Sequence, residues 1–386
     1  RPCLEIMKRT EGKRKQKRTR ATANDVARLA GVSQMTVSRV INDDSAVRDK
    51  TREAVQKAID ELGYEPNKAA RSLVSANPVR IALLYSNPNS TFLTKMMIGV
   101  LDKARNSDAQ VMIVTCDEGP DAEDTVSGLI DDGIDGMVLA PPLCDSEPLF
   151  DIISQSGVPA VTVGSRHHDN RISAIYIDDQ QAAATMTRHL ISLGHRRIGF
   201  IVGESKQTAS LLRLNGFRDA MGAAGIQVDE TLIVQGEFSY RSGFEAAEIM
   251  LSMPEPPTAI LASNDDMAAG AISAARQFRV KIPEDLAVCG FDDSLLASQI
   301  WPPITTIRQP IGEMTHAAIE HLENNIRRVR SDTPVRYRRI ELDFSLVKRD
   351  SDAPPGGEDG LHGANGGTAS VARKYRSGSS RKPPVL

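Results

Sequence analysis

A short stretch near the N-terminus, GVSQMTVSRVIND (residues 31–43), carries side chains that suit the edges and phosphates of a DNA groove. A turn at Gly31 precedes an amphipathic segment. Its polar face is formed by Gln34, Thr36, Ser38, Arg39 and Asn42. Glutamine can pair with adenine and arginine with guanine, whereas hydroxyl and amide groups can hold phosphates. Any surface helix needs a solvated face. This pattern alone therefore fits either a DNA-binding face or an ordinary solvent-exposed one.

Three short helices are predicted over residues 22–64, and they would position this face. Thr22 can cap the first helix and Ser33 the second, while Gly31 and Gly63 end the first and the third. The third helix is expected at about Asp49 to Leu62. The apolar residues predicted to form their common core are Val26, Leu29, Ala30, Val37, Val40, Ile41, Val55, Ala58, Ile59 and Leu62.

Two helices joined by a three-residue turn with a glycine, plus a third helix, are typical of the helix-turn-helix unit. The second helix of that unit presents its N-terminal residues to the major groove. Here these are Gln34 and Met35, and methionine offers an apolar contact to a thymine methyl group. We therefore expect residues 21–65 to bind double-stranded DNA, although the same unit also occurs in proteins without DNA.

The distribution of charge supports a polyanionic partner for this region. Residues 1–77 carry 17 Lys and Arg against 10 Asp and Glu, whereas the rest carries 30 against 40. The stretch KRKQKRTR (residues 13–20) has no apolar periodicity, so residues 1–20 are predicted to be a basic disordered arm. Such an arm either touches phosphates or is simply solvated.

Two further segments are not expected to fold alone. Residues 66–78 form a linker in which Leu73 is a lone leucine on a helix of about eight residues, a length that is marginal in water. This hinge should form only when something docks it. Residues 351–386 hold 16 Gly, Pro or Ser in 36 positions and are predicted to be a disordered tail.

Residues 79–350 alternate short apolar runs with helical stretches, which predicts parallel sheets covered by helices on both faces. The runs span 80–86, 110–116, 136–141, 159–164, 173–178, 197–203, 232–238, 258–265 and 286–293. This number of strands fits two doubly wound lobes better than one open sheet. Ligands of such sheets bind beyond the carboxyl ends of the strands, here in the cleft between lobes.

Polar groups follow several of these runs in the second half. Asn264 and Asp265 follow one run, Asp292 and Asp293 follow another, and Phe238 follows a third. Carboxylates and amides can hold hydroxyl groups, and an aromatic ring can stack on a ligand ring. Each residue also has a structural interpretation, as a helix cap or a core residue, and Arg213 within ASLLRLNGF can be a surface charge.

Other classes of protein are disfavoured. No run is long enough for a membrane span, and the basic N-terminus lacks the apolar region of a secretory signal, so we expect a cytoplasmic protein. The four cysteines are far apart, and neither a metal nor another cofactor is expected. The G-x-G-x-x-G, G-x-x-x-x-G-K-[ST] and G-x-S-x-G motifs are absent, which argues against an enzyme.

These motifs together resemble the lactose-repressor (LacI/GalR) family of bacterial transcription regulators. The resemblance covers roughly residues 22–350, from TANDVARLAGVSQMTVSRVINDD through SNDDMAAGA, VCGFDD and PPITTIRQP. It implies an all-α helix-turn-helix head and a two-lobed, doubly wound core like that of periplasmic sugar-binding proteins.

The resemblance also implies roles for individual residues. Gln34, Met35 and Arg39 match positions that contact bases, and the phosphate-holding positions are Thr22, Ser33, Thr36, Ser38 and Asn42. Leu73, with Ala70 beside it, matches the hinge leucine that wedges into the minor groove.

In the core, the resemblance implies an effector site. Arg213, Asn264 and Asp292 match positions that hold ligand hydroxyls, and Phe238 matches a ring-stacking position. Tyr85, Ser86 and Phe92 are expected to line the first lobe's side of the cleft. Gly164 is a departure, because the lactose repressor has a carboxylate there, and this leaves the ligand open.

The expectation is therefore a homodimeric repressor that binds a palindromic operator and whose affinity is set by a small molecule, most simply a sugar. Three alternatives remain open from the sequence. One is a solute-binding protein of a transport system, which would need a signal peptide and no helix-turn-helix. The others are a regulator controlled by a partner protein and one controlled by a purine.

Overall fold

The computed structural model describes residues 21–41, 47–64, 78–86, 91–105, 109–167 and 169–356. The chain divides into two units, Arg1–Pro78, called the head below, and Val79–Leu386, called the body. None of the helices in the described ranges is both long and apolar enough to cross a membrane.

The head contains three helices: α1 (Ala23–Ala30), α2 (Gln34–Ile41) and α3 (Asp49–Leu62). Thr22 caps α1 in a capping box with Asp25. The buried side chains of the head are Val26, Ala27, Val37, Val40, Val55 and Ala58. The expectation that Leu29 and Leu62 are buried is wrong, because their exposed fractions are 47% and 36%. The buried face of α1 is centred between Val26 and Ala27. Leu29 therefore lies at the side of the helix and not on the core.

The first lobe of the body, lobe 1, is built on a sheet of six parallel strands in the order β11-β5-β4-β3-β1-β2. Its strands are β1 (Val79–Tyr85), β2 (Ala109–Thr115), β3 (Gly136–Leu139), β4 (Ala160–Val163), β5 (Ser173–Tyr176) and β11 (Arg339–Glu341). Its helices are α4 (Thr91–Ala104), α5 (Pro120–Asp131), α6 (Glu147–Ser156) and α12 (Ile311–Arg330). The strands β3, β4 and β5 are fully buried because helices pack on the sheet, α12 against all three among them, whereas the edge strands β2 and β11 are only partly covered.

The second lobe, lobe 2, has a sheet in the order β12-β10-β9-β8-β6-β7, in which only β12 runs antiparallel to its neighbour. Its strands are β6 (Ile198–Val202), β7 (Ile233–Gln235), β8 (Ala259–Ala262), β9 (Ala287–Asp292), β10 (Thr305–Arg308) and β12 (Ser345–Val347). Its helices are α7 (Asp179–Ser192), α8 (Thr208–Ala223), α9 (Tyr240–Leu251), α10 (Asp265–Gln277) and α11 (Leu295–Gln299). The chain thus passes between the lobes after β5, after β10 and between β11 and β12.

The predicted fold class is confirmed: an all-α head and a two-lobed, doubly wound body. All nine predicted runs contain a strand. Three strands were not predicted, β10, β11 and β12, because their sequences TTIR, RIE and SLV mix polar and apolar residues and form no continuous apolar run.

The ordered body extends beyond residue 350, so the predicted start of the disordered tail is wrong at Ser351 and Asp352. Ser351 is fully buried, and its hydroxyl donates to the carbonyl of Val288 at 2.5 Å. Asp352 lies 2.6 Å from the Nε2 of His189. These contacts hold Ser351 and Asp352 against lobe 2, shortly before the described part of the chain ends.

Candidate functional site

In the head, α2 turns its polar face outward. Val37 and Val40 are buried, and they fix one side of the helix on the core. On the other side, Gln34, Ser38 and Arg39 are exposed, and Met35 is 66% exposed. A large exposed methionine at the start of a helix has no packing role here, so this face is available for a partner.

The start of α2 also suits a phosphate group. The Ser33 hydroxyl accepts a hydrogen bond from the Thr36 amide at 3.1 Å and lies 2.9 Å from the Thr36 hydroxyl. The first turn carries no acidic residue, so nothing offsets the positive end of the helix dipole. Thr22 is exposed and its hydroxyl donates to Asp25 at 2.7 Å. Asn42, Ala70 and Leu73 lie outside the described residues.

In the body, a cavity of about 150 Å³ lies between the carboxyl ends of the two sheets. Lobe 1 contributes Ser86, Phe92, Glu118, Pro141, Pro142 and Gly164, and lobe 2 contributes Glu204, Gln207, Ala209, Arg213, Glu237, Phe238, Asn264 and Asp292. Six of the seven residues predicted from the sequence therefore come together. Tyr85 does not line this cleft and instead packs against the apolar core.

Arg213, on α8, is held rigidly inside the protein. Its Nε donates to Asp179 at 2.8 Å and its Nη1 donates to the carbonyl of Ser263 at 2.6 Å. The guanidinium carbon lies 3.7 Å from the centroid of the Phe291 ring. The interpretation of Arg213 as a surface charge is wrong, because only 6% of the residue is exposed. Its charge is already balanced by Asp179, which leaves its remaining N–H groups to donate into the cleft.

Asp292 ends β9 with a backbone φ of 108°, a conformation that side chains rarely adopt. Its Oδ1 accepts a hydrogen bond from Gln309 at 2.6 Å. Burial raises the pKa of Asp292 to about 6, with Arg213 acting in the opposite direction. The carboxylate is therefore mainly ionised at neutral pH and can accept hydrogen bonds from ligand hydroxyls.

A second buried carboxyl group, that of Asp265, supports this end of the sheet. Its oxygens accept from the Thr306 hydroxyl and from the Ser294 amide, both at 2.6 Å. Burial, and secondarily the charge of Asp292, raise the pKa of Asp265 to about 8. Asp265 is not the cap of α10. Asn264 is, because its Oδ1 accepts from the Met267 amide at 2.9 Å.

The Asn264 side chain has a second bond, from its Nδ2 to the carbonyl of Phe238 at 2.9 Å. Asn264 thus both caps α10 and fixes the backbone that carries the Phe238 ring. A hydroxyl ligand can use only what these two bonds leave, namely one amide hydrogen and one lone pair.

Two aromatic rings line the cleft, one from each lobe, and each lies over a glycine. A Cβ at Gly164, whose φ is 89°, would lie 2.8 Å from the Cζ of Phe92. A Cβ at Gly203 would overlap the ring of Phe238 in the same way. The absence of a carboxylate at position 164 therefore has a steric reason, since any side chain there displaces Phe92.

Sequence reasoning missed seven of the lining residues: Glu118, Pro141, Pro142, Glu204, Gln207, Ala209 and Glu237. Most of them follow the ends of β2, β3, β6 and β7 within a few residues. The rule that ligands lie beyond the carboxyl ends of strands could have found these positions had it been applied to every strand.

Several contacts between described residues join the lobes beside the cavity, among them an ion pair of Lys206 with Glu118 at 3.8 Å. Lys95 on α4 donates to the carbonyls of Asp292 at 3.1 Å and Asp293 at 2.7 Å. Thr91 on the same helix lies 3.3 Å from the carboxylate of Asp266. The Thr208 hydroxyl donates to Asp145 at 2.7 Å. A ligand that moves the end of β9 therefore acts directly on α4 of the other lobe.

Within the described residues, no group of His, Cys, Asp and Glu could hold a metal ion, and the buried His195 has a defined place in lobe 2. His195 is buried, with Nδ1 2.9 Å from the Thr258 hydroxyl and Nε2 2.9 Å from the carbonyl of Ala353. Both ring nitrogens join parts of lobe 2, which is a structural role.

Comparison with known proteins identifies both parts of the chain. Residues 22–67 match the family described as bacterial regulatory proteins, lacI family, and residues 187–351 match the periplasmic binding protein-like domain. The transcriptional regulator DegA of Bacillus subtilis is 37% identical over 298 residues, which cover 76% of this chain and 88% of DegA.

Two solved structures show the same fold. The complex of the transcriptional regulator CelR with cellobiose is 34% identical, with a TM-score of 0.65 over 86% of this chain and 100% of that one. The lac repressor dimer bound to operator and the anti-inducer ONPF is 28% identical, with a TM-score of 0.65 over 87% and 100%. All three relatives are regulators of transcription rather than enzymes. The chain belongs to the LacI family and is a DNA-binding transcription regulator.

Proposed function

We propose that this protein is a homodimeric repressor that binds a palindromic operator and responds to an uncharged sugar bound in the cleft. As a regulator of chromosomal operators it would act in the cytoplasm. The observation that carries the choice of ligand is the balance of charge in the cleft.

The residues that line the cleft include four carboxylates and a single cation. The carboxylates are those of Glu118, Glu204, Glu237 and Asp292, and the cation is Arg213. Because Asp179 already balances Arg213 at 2.8 Å, the cleft repels phosphates and carboxylates. Acceptor-rich walls and two aromatic rings instead suit a ring with several hydroxyl groups. Cellobiose in the CelR complex is a ligand of this class.

In the head, we propose that Gln34 and Met35 select bases, with Arg39 as a further base contact. Thr22, Ser33, Thr36, Ser38 and Asn42 would hold phosphates. Leu73, with Ala70, would wedge between base steps at the operator centre, which trades unstacking for a bent duplex. Two heads on one dimer would lie about one helical turn, roughly 34–36 Å, apart along the DNA.

The link between the sites would run through α4. Lys95 ties this helix to the end of β9, and the same helix exposes Ile98 by 56% and Leu101 by 55%. We propose that these two side chains contact the second subunit. A ligand at Asp292 would then change how lobe 1 of one subunit packs against lobe 1 of the other. A coupling of about 1–3 kcal/mol would change operator affinity by about 5-fold to 150-fold.

Calorimetric titration tests the ligand class. Cellobiose, ribose and glucuronate would be titrated into the wild type, into Asp292→Asn and into the matched control Asp219→Asn, whose side chain is exposed. We expect a neutral sugar to bind the wild type and the control at least about tenfold more tightly than it binds Asp292→Asn, since a hydrogen bond to a charged group is worth about 1.5–3 kcal/mol. Tight binding of glucuronate alone would contradict the proposal.

A further inference from the structure

The first turn of α8 in lobe 2 is capped by a residue of lobe 1. Gln207 stands at the N-cap position of this helix but makes no side-chain hydrogen bond to it, and the first turn carries no acidic residue. The Thr208 amide instead donates to Oδ2 of Asp145 at 3.1 Å, and the Thr208 hydroxyl donates to Oδ1 at 2.7 Å. The side chain of the N-cap residue itself usually accepts such bonds. Here the cap comes from across the cleft.

Lobe 1 holds Asp145 in a fixed place. The residue ends a short 3-10 turn, Leu143–Asp145, that follows β3. The hydroxyl of Ser165, a fully buried residue that comes just after β4, donates to Oδ1 of Asp145. Because β3 and β4 are neighbours in the sheet, the carboxylate is anchored at the ends of two paired strands. Its bonds to Thr208 therefore constrain how the two lobes lie against each other.

The charge of Asp145 strengthens the cap. A helix carries about half a positive charge at its N-terminus, and a carboxylate placed there is stabilising. This attraction falls off within the first turn of the helix, so it is lost once the lobes separate. The arrangement described here, in which lobe 1 meets the start of α8, is called the closed arrangement below. The Asp145 cap favours the closed arrangement over any open one.

The capped helix is also a wall of the effector cleft. Gln207, Ala209 and Arg213, at the start and on the second turn of α8, all line the cavity. The Asp145 cap is separate from the contact that Lys95 makes with the end of β9, because Lys95 lies on α4, which follows β1. The lobes are thus joined at two different places, and only one of them involves α4.

We propose that Asp145 is the positioning residue that holds the lobes closed over the effector, by capping α8 from the opposite lobe. The inference rests on the proposed function for its ligand, whereas the cap itself does not depend on it. Both lobes line the cleft, so only the closed arrangement offers a ligand all its contacts. The apparent Kd of the ligand rises as the closed fraction falls. Because α4 is unchanged, a saturating ligand should still produce its full effect on operator binding.

Hydrogen–deuterium exchange of the full chain without ligand tests the cap. The variant is Asp145→Ala. The matched control is Asp229→Ala, because Asp229 also accepts from the amide and the hydroxyl of one threonine, Thr231, but within lobe 2. In Asp145→Ala, residues 204–212 should take up about one more deuteron at early times, since the Thr208 amide loses its acceptor. The control should match the wild type there. Equal uptake in all three proteins would overturn the proposal.

Operator binding, followed by fluorescence anisotropy during titration with cellobiose and with ribose, tests the consequence. Loss of an aspartate cap shifts an equilibrium by about 3-fold to 30-fold, so the sugar concentration at half effect should rise by that factor in Asp145→Ala, with an unchanged plateau. Thr208→Val removes the hydroxyl from the other lobe and should cause a smaller rise. Asp229→Ala should cause none.

Two results of this titration would overturn the proposal. One is an unchanged half-effect concentration in Asp145→Ala. The other is a lost plateau in both Asp145→Ala and Thr208→Val, because these residues would then carry the signal to the head or maintain the fold. If neither sugar acts on the wild type, the proposed ligand class is wrong, and the exchange experiment still decides whether Asp145 caps α8.

Discussion

The recognition face of α2 and the effector cleft place their polar groups in opposite surroundings. On α2, Gln34 and Met35 are exposed and rest on a small core on the other side of the helix. In the cleft, Arg213 and Asp292 are at least nine-tenths buried and already bonded to Asp179 and Gln309. Side chains on α2 can therefore change partner specificity without touching the fold. Side chains in the cleft contribute to stability and to ligand binding together.

Among these variants, substitution of the buried Arg213 should lower the free energy of unfolding the most. Arg213→Ala leaves the buried Asp179 without its partner, and breaking a buried pair costs about 3–5 kcal/mol in the free energy of unfolding. The control Arg218→Ala removes an exposed pair with Glu230, which is worth less than about 1 kcal/mol. Urea denaturation measures both. Equal losses would show that the cleft arginine is no more than a surface charge.

Between about pH 6 and 8, above the pKa of Asp292, the pH dependence of stability should come mainly from Asp265. Because its pKa in the folded protein is about 8, above the ordinary 3.8, the folded state keeps a proton that the unfolded chain has released between about pH 4 and 8. The free energy of unfolding must therefore fall as the pH rises through that window, by up to about 1.4 kcal/mol per pH unit. In Asp265→Asn this decrease of the unfolding free energy with pH should vanish. The variant Asp219→Asn, at an exposed position, should keep it. Urea denaturation of the wild type and of both variants at pH 5, 6.5 and 8 tests this. An identical pH dependence of the unfolding free energy in all three proteins would refute the assignment to Asp265.

A side chain at position 164 should disturb the ring of Phe92. In Gly164→Ala the new Cβ lies 2.8 Å from that ring, and overpacking of this kind costs about 1–3 kcal/mol. The control Gly157→Ala also has a positive φ, of 73°, but its Cβ meets no atom within 4 Å. Both variants place a side chain at a positive φ. The difference between them in unfolding free energy and in sugar affinity therefore measures the effect of displacing the Phe92 ring. No difference would show that Phe92 moves freely.

Changes on α2 should have the smallest effect on stability. Gln34→Ala and Met35→Ala should alter unfolding by less than about 0.5 kcal/mol, since both side chains are exposed. Each should relax base preference by about 1–3 kcal/mol at one position of the operator. Selection from a random operator library measures this, with the exposed Gln56→Ala on α3 as control. An unchanged selected sequence would remove these two residues from base recognition.

The same contrast explains how far the sequence could predict each region. The face of α2 is one continuous stretch, and its helical period and its caps at Thr22 and Ser33 can be read from neighbouring residues. Leu29 was misplaced because the period gives a stripe but not the direction from which α3 packs on it.

The cleft is assembled from the ends of strands such as β1 and β9, which end at Tyr85 and Asp292, so only its most distinctive motifs could be predicted. Asn264 and Asp292 are the polar residues at the ends of strongly apolar runs, whereas Glu118 and Glu237 lie in the loops beyond β2 and β7 and were missed. Tyr85 was placed at the cleft on the position of its strand, yet it is partly buried and packs against the core. The direction of a side chain at a strand end depends on the local turn, which the apolar pattern does not contain.

The central claim, that an uncharged sugar in the acidic cleft sets operator affinity, can be tested by one titration. Fluorescence anisotropy would measure the Kd for an operator selected from the random library, without sugar and with cellobiose, ribose or glucuronate. The account predicts that a neutral sugar changes the Kd by about 5-fold to 150-fold and that Asp292→Asn loses this change while it still binds the operator. A change produced by glucuronate alone, or one that survives in Asp292→Asn, would contradict it.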